Sequence, residues 1–153
     1  MGINRVIIIS HRAYTEGEDT TVENHPAAIQ ALLDSGFHVE IDVWYIDEKY
    51  LLGHDSPKYQ IQETFLKQEG LWCHAKNKDA LERMLASEIH CFWHQEDDYT
   101  ITSKGHIWAY PNKETSGKNT VFLFPERYPD IDEQKYDYIC TDYVTKYLNK
   151  IDI

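Results

Sequence analysis

The feature that most limits the fold of this chain is the regular alternation of strand-like and helix-like segments over its first half. Arg5 to Ser10 is β-branched and apolar. Ala28, Ile29, Leu32 and Leu33 then recur at helical spacing, opened by Asn24-His25-Pro26 and closed by Gly36. His38 to Tyr45 reads as a second strand and Tyr50 to Gly53 as a short third. The spacing of Ile61, Phe65 and Leu66 predicts a helix ending at Gly70. Leu71 to Ala75 is the next strand, and Asn77 caps a helix carrying Ala80, Leu81, Met84 and Leu85. Parallel strands need crossovers of about a dozen residues, usually helical, so this order points to a parallel sheet or barrel.

The second half is different. Strand patterns occur at His90 to His94, His106 to Tyr110, Thr120 to Phe124 and Tyr138 to Thr141, but polar, turn-rich segments separate them. A helical stripe returns only at Val144, Tyr147, Leu148 and Ile151. A full (β/α)₈ barrel takes about 250 residues, whereas this chain has 153. The expected fold is therefore α/β: a single domain, 1–153, forming a shortened, irregular TIM-like barrel with most outer helices missing from its second half.

Charge and composition narrow the partners. The chain is 42% apolar and 13% aromatic, enough to bury a core. Its formal net charge is -11, with no basic run, which argues against nucleic acid and against an anionic lipid surface. A single small phosphodiester could still bind where an Arg, a Lys or a metal locally reverses the field. The apolar run Val6 to Ile9 is too short for a signal peptide or a membrane span, so no membrane insertion is expected. Three widely spaced cysteines, Cys73, Cys91 and Cys140, fit neither a disulfide framework nor a zinc knuckle, and a reducing cytoplasm is the expected home.

The second strand carries most of the chemistry. His38, Glu40, Asp42 and Trp44 share one face, and Val39, Ile41, Val43 and Tyr45 share the other. Under helices the apolar set packs outward, which sends Glu40 and Asp42 into the barrel mouth. Two carboxylates roughly 6.6 Å apart on one strand need compensation there, and a divalent cation is the economical one. The alternative is an edge strand with a solvated polar face. His11 and Arg12 end the first strand, and His54 and Asp55 follow the third. His74, His94 and Asp142 also sit at strand ends, where barrel enzymes collect their chemistry.

His11-Arg12, Glu23-Asn24, Glu40-Ile41-Asp42-Val43 and Gly53-His54-Asp55 resemble, in order and spacing, the signature of the glycerophosphodiester phosphodiesterase family. Cys73-His74-Ala75-Lys76 lies where that family usually shows a Glu-x-Lys strand, and Ile139 to Tyr143 looks like its closing strand. The resemblance implies a divalent-metal phosphodiesterase on a barrel, acting on a small glycerophosphodiester-like substrate. His11 and His54 would be its acid and base pair, Arg12 and Lys76 would hold phosphate oxygens, and Glu40 and Asp42 would bind the metal.

Two departures stand out. Ala13 replaces a glycine usual in the family, and His74 takes the place of a third carboxylate ligand. The ion could be magnesium, calcium, manganese or zinc; an imidazole lowers the charge of the cage and favours the softer ones. His94 or Glu126 could complete the site if His74 does not. Loss of the third carboxylate also allows a catalytically silent phosphate-binding module, although two retained histidines favour the enzyme. Trp93, Trp108 and Tyr110 would form either an aromatic wall for a glycerol or sugar moiety or part of the core. The acidic segment His94 to Asp98 reads as a solvated turn. A third reading is a structural or interaction protein, favoured by the missing helices, which could leave apolar strand surface for the partner in a homodimer to cover.

Overall fold

The computed structural model describes residues 6–150. Strand β1 (Ile7–His11) leads to helix α1 (Pro26–Asp34), which is capped by His25: its Nδ1 accepts from the Ala27 N–H at 3.1 Å. Pro26 supplies a preset helical φ at the first turn. Strand β2 (His38–Ile46) follows. Asp47 and Glu48, with φ of 51° and 63°, then form a two-residue turn that folds β3 (Lys49–Leu52) back antiparallel onto β2. Left-handed pairs of this kind match the twist of hairpin strands. Strand β4 (Tyr59–Ile61) extends this meander, and the short helix α2 (Glu63–Leu66), strand β5 (Leu71–Ala75) and helix α3 (Lys78–Ala86) complete the first half. Asn77 caps α3, its Oδ1 accepting from the Ala80 N–H at 3.0 Å.

The second half adds β6 (Cys91–Phe92), β7 (Tyr99–Ile101), β8 (Ile107–Ala109), β9 (Thr120–Leu123) and β10 (Tyr138–Thr141). Loops and two 3₁₀ turns, Pro125–Arg127 and Glu133–Lys135, make its crossovers. Among the described residues all three α-helices lie in the first half.

The parallel strands run in the order β6-β5-β2-β1-β10-β9-β8, with β3 and β4 antiparallel beyond β2 and β7 antiparallel on β8. This is an α/β fold with a central mixed sheet and flanking helices. One sheet face buries Val39, Ile41, Val43, Leu71 and Cys73 with Ile29 and Leu32 of α1 and Ala80 and Met84 of α3. The opposite face has its own core of Ile9, Trp72, Phe92, Trp108, Leu123 and Cys140. Residues from both halves of the sheet meet there, Phe92 stacking on Trp108 at 4.5 Å, so the sheet curls toward itself. Among the described residues β6 and β8 share no pairing; instead the Ser103 N–H donates to the Cys91 carbonyl at 2.8 Å, and the Cys91 N–H to Ser103 Oγ at 2.9 Å.

Several local expectations are corrected. Ile61 belongs to β4, where it pairs with Tyr50, so the helix after it shrinks to one turn: cross-strand pairing outweighs the helical spacing of Ile61 and Phe65. The acidic segment His94 to Asp98 is a largely exposed loop, as expected, and the unforeseen strand β7 begins directly after it. The final stripe forms a 3₁₀ helix, Val144–Lys150. Its three-residue period puts Val144 and Tyr147 on the buried side and turns Leu148 outward. Ile151 and Arg5 lie outside the described residues.

Candidate active site

Strand register assembles the site. His11 ends β1 opposite Glu40 of β2, and Asp42 lies opposite His74 of β5. Because Val39, Ile41 and Val43 pack under the helices, the pleat turns Glu40 and Asp42 to the other face. Thr141 pairs with Ser10, so Asp142 emerges beside His11. The β2–β3 hairpin brings the Gly53 N–H to the Asp42 carbonyl at 3.2 Å, which places His54 next to Asp42. A Cβ at Gly53 would lie 1.9 Å from the Ser56 carbonyl oxygen, so only glycine permits this path. Arg12 and Ala13 turn the chain directly after β1 with φ of 56° and 73°. Ala13 thus holds a left-handed conformation that glycine adopts without strain.

Glu40, Asp42 and His74 offer ligand atoms that lie within 4.8 Å of one another. His74 Nδ1 is 3.2 Å from Asp42 Oδ1 and 3.9 Å from Glu40 Oε2. Its Nε2 lies 2.9 Å from the His94 carbonyl, which can only accept, so Nε2 carries the proton and Nδ1 presents its lone pair to the carboxylates when the ring is neutral. Stacking on Phe92 at 5.2 Å holds the ring in that plane. Glu40 Oε1 and Asp42 Oδ1 are buried without hydrogen-bond partners. Buried carboxylate oxygens facing an imidazole lone pair form a donor set that fits a divalent cation, and the cluster is able to coordinate one.

The surroundings tune each charge. Burial, then the charge of Asp42, pushes the Glu40 carboxyl well above its ordinary range. Burial would raise Asp42 too, but the nearby imidazoles of His54 and His74 and the charge of Arg12 outweigh it and hold Asp42 far below the usual carboxylate range. Asn24 adds to this support: its Nδ2 donates to Asp42 Oδ2 at 2.9 Å and its Oδ1 accepts from the Asp42 N–H at 2.8 Å. Arg12 Nε is 3.4 Å from Asp42 Oδ2, and His54 Nδ1 is 3.5 Å from the same oxygen. His11 Nδ1 lies 2.7 Å from Asp142 Oδ1, and its Nε2 is 3.9 Å from Glu40 Oε1. A cavity of about 190 Å³ opens on this side, walled by His11, Arg12, Glu40 and His74 and, across from them, by Phe92, Trp108, Tyr110 and Phe124.

No family model, curated protein or solved structure matches this chain.

Six of the seven residues singled out in the sequence, His11, Arg12, Glu40, Asp42, His54 and His74, converge here. Asp42 and His54 stand beside the cavity and not on its wall. Lys76 is at the fringe: its charge is felt by Glu40, yet among the described residues no carboxylate lies within ion-pair distance of it. Glu126 accepts from Thr141 Oγ1 at 2.6 Å and stays out of the cluster. Trp93 packs against the core beneath the helices, so the aromatic wall keeps Trp108 and Tyr110 but loses Trp93. Two supporting residues went unassigned. Asn24 read as a helix start and Asp142 as one strand end among several.

Proposed function

We infer that this chain is a metal-dependent phosphodiesterase that hydrolyses a small phosphodiester, a glycerophosphodiester in the simplest case. The observation that carries this is the meeting, at one cavity, of a carboxylate-held histidine and an arginine with the Glu40, Asp42 and His74 cluster. The location at the C-terminal ends of β1, β5 and β10 also supports the shortened-barrel reading, since barrels build their sites at that end. Three buried, unpaired cysteines suit a reducing compartment such as the cytoplasm.

A divalent ion held by Glu40, Asp42 and His74 would supply positive charge to the non-bridging phosphate oxygens. Arg12, and Lys76 from the fringe, hold the remaining oxygens. Asp142 accepts the Nδ1–H of His11 and fixes that tautomer, so Nε2 faces inward and takes a proton from the attacking water as its oxygen bonds to phosphorus. The bond from phosphorus to the leaving oxygen breaks, and His54 protonates that oxygen. A phosphomonoester and an alcohol result. A silent binder would have no use for a carboxylate-held His11.

After removal of metal with a chelator, bis(p-nitrophenyl) phosphate and glycerophosphocholine should be turned over on adding magnesium, calcium, manganese or zinc. His11→Ala and His54→Ala should each lower kcat by roughly 10² to 10⁴ while remaining folded. Unchanged turnover in both variants, or phosphate binding with no turnover by the natural chain, would sink the enzyme reading. A homodimer belongs to the same reading, its partner covering Tyr99 and Ile101, exposed on the edge strand β7. A monomer mass by sedimentation at high micromolar concentration would remove it. Among the described residues no helix is long and apolar enough to cross a membrane.

A further inference from the structure

The cavity wall opposite the carboxylates ends in a cation that the reaction above does not use. Phe124 follows β9 in the left-handed region, with φ 56° and ψ 57°, a conformation that a side chain of this size rarely adopts. Its ring meets His11 edge-on at 5.0 Å, and the Arg127 guanidinium lies over its face, Cζ 4.2 Å from the centroid. Arg127 lines the same cavity. The chain has 26 acidic and 15 basic residues, yet among the described residues no carboxylate lies within 4.0 Å of Arg127. Arg127 is exposed at the cavity's rim, so its guanidinium, set on the ring and free of a carboxylate, is open to a planar, bidentate anion.

Arg12 and the metal cluster suffice for one phosphodiester. A neutral alcohol would leave Arg127, a single aromatic ring away from His11, to water, whereas an anionic one would reach it. The geometry points to a substrate in which the alcohol on the Phe124 side carries a second anionic group, a carboxylate or a phosphomonoester, held by Arg127. This rests on the phosphodiesterase reading of the cavity. At about 190 Å³ the cavity suits a short alcohol, so the two anionic groups are separated by only a few bonds.

The test uses three p-nitrophenyl phosphodiesters whose second alcohol is ethanol, glycolate or 2-hydroxyethyl phosphate. The natural chain should prefer one of the charged esters to the ethyl ester by about tenfold or more in kcat/KM. Whether glycolate or hydroxyethyl phosphate leads separates a carboxylate from a phosphate ligand. Arg127→Met should bring that ratio near one, and Arg127→Lys should keep part of it. In parallel, calorimetric titration with ethyl phosphate, carboxymethyl phosphate and ethylene glycol bisphosphate reads the same preference without turnover. If no ester is cleaved, the phosphodiesterase reading fails, while the affinity ratio and its loss in Arg127→Met still decide the role of Arg127. No preference for a charged alcohol in either assay, or a preference that survives Arg127→Met, overturns the inference.

Discussion

Glu40 and Asp42 stand two residues apart on one strand, yet their surroundings drive their protons in opposite directions. Asp42 has the Asn24 amide as a donor, the imidazoles of His54 and His74 close by, and the charge of Arg12 beside it. Glu40 is buried with an unpartnered oxygen. A carboxyl raised in the folded state weakens the fold as pH climbs past its unfolded value of about 4.3. In chelator, Glu40→Gln should therefore match the natural chain below about pH 4 and be equally or more stable at neutral pH. Thermal unfolding across that range checks this; a variant markedly less stable at neutral pH would mean that Glu40 is a structural anion. His90 gives the opposite profile. Burial, then the charges of Lys104 and His106, lowers its pKa to about 3. Its Nδ1 lies 3.1 Å from the Leu71 carbonyl and its Nε2 2.8 Å from Thr102 Oγ1. Its contribution is complete above the unfolded value of about 6.5 and is lost at up to about 1.4 kcal/mol per unit as pH falls toward 3. Denaturant unfolding of the natural chain and His90→Gln between neutral and mildly acidic pH should show the difference shrinking on that slope.

At the level of elements, β2 organises the site because it is long enough to pair with β1 and β5 along one stretch and with β3 along another. The β3 arm then delivers His54 through a turn that excludes a Cβ at Gly53. Gly53→Ala should cost about 3 kcal/mol or more, as a backbone clash with no flexible side chain to yield. It should also displace His54 and lower kcat beyond what lost stability explains. Denaturant melts, with activity measured well below the transition, separate the two effects; a stable, fully active variant would show that the turn does not position His54. The same scale explains the misread helix after β4. Two apolar residues at helical spacing carry little weight when a neighbouring strand offers a ladder of hydrogen bonds to one of them.

For the whole molecule, a cation bound only by the folded chain adds stability by mass action, about 2.7 kcal/mol at a hundred times its dissociation constant. In a chain of this size that raises the melting temperature by about 5 to 10 °C. The natural chain should show this rise with manganese or zinc, and His74→Ala should reduce it for every metal. His74→Glu should restore it with a shift toward magnesium or calcium, because a third carboxylate favours harder ions. Differential scanning fluorimetry across the four metals reads these outcomes. Identical shifts in all three proteins would remove His74 from the ligand set.

Much of this was legible in the sequence, because strand and helix periods are local properties. The apolar and polar alternation of β2 placed Glu40 and Asp42 on one face and predicted that the other would lie under helices, and both follow from the pleat alone. His11, His54 and His74 were visible as residues at or near strand ends. The short strands β4 and β7 were not, since three residues are too few to show a period against a polar background. Nor were the partners that give the site its chemistry. Asn24 reaches Asp42 across 18 residues of chain, and Asp142 reaches His11 across 131. Which nitrogen of His74 faces the carboxylates, and whether Arg127 finds an acid, likewise depend on groups distant in the chain. Only the tertiary structure decides such pairings, because hydrogen-bond distance is set by how the elements pack.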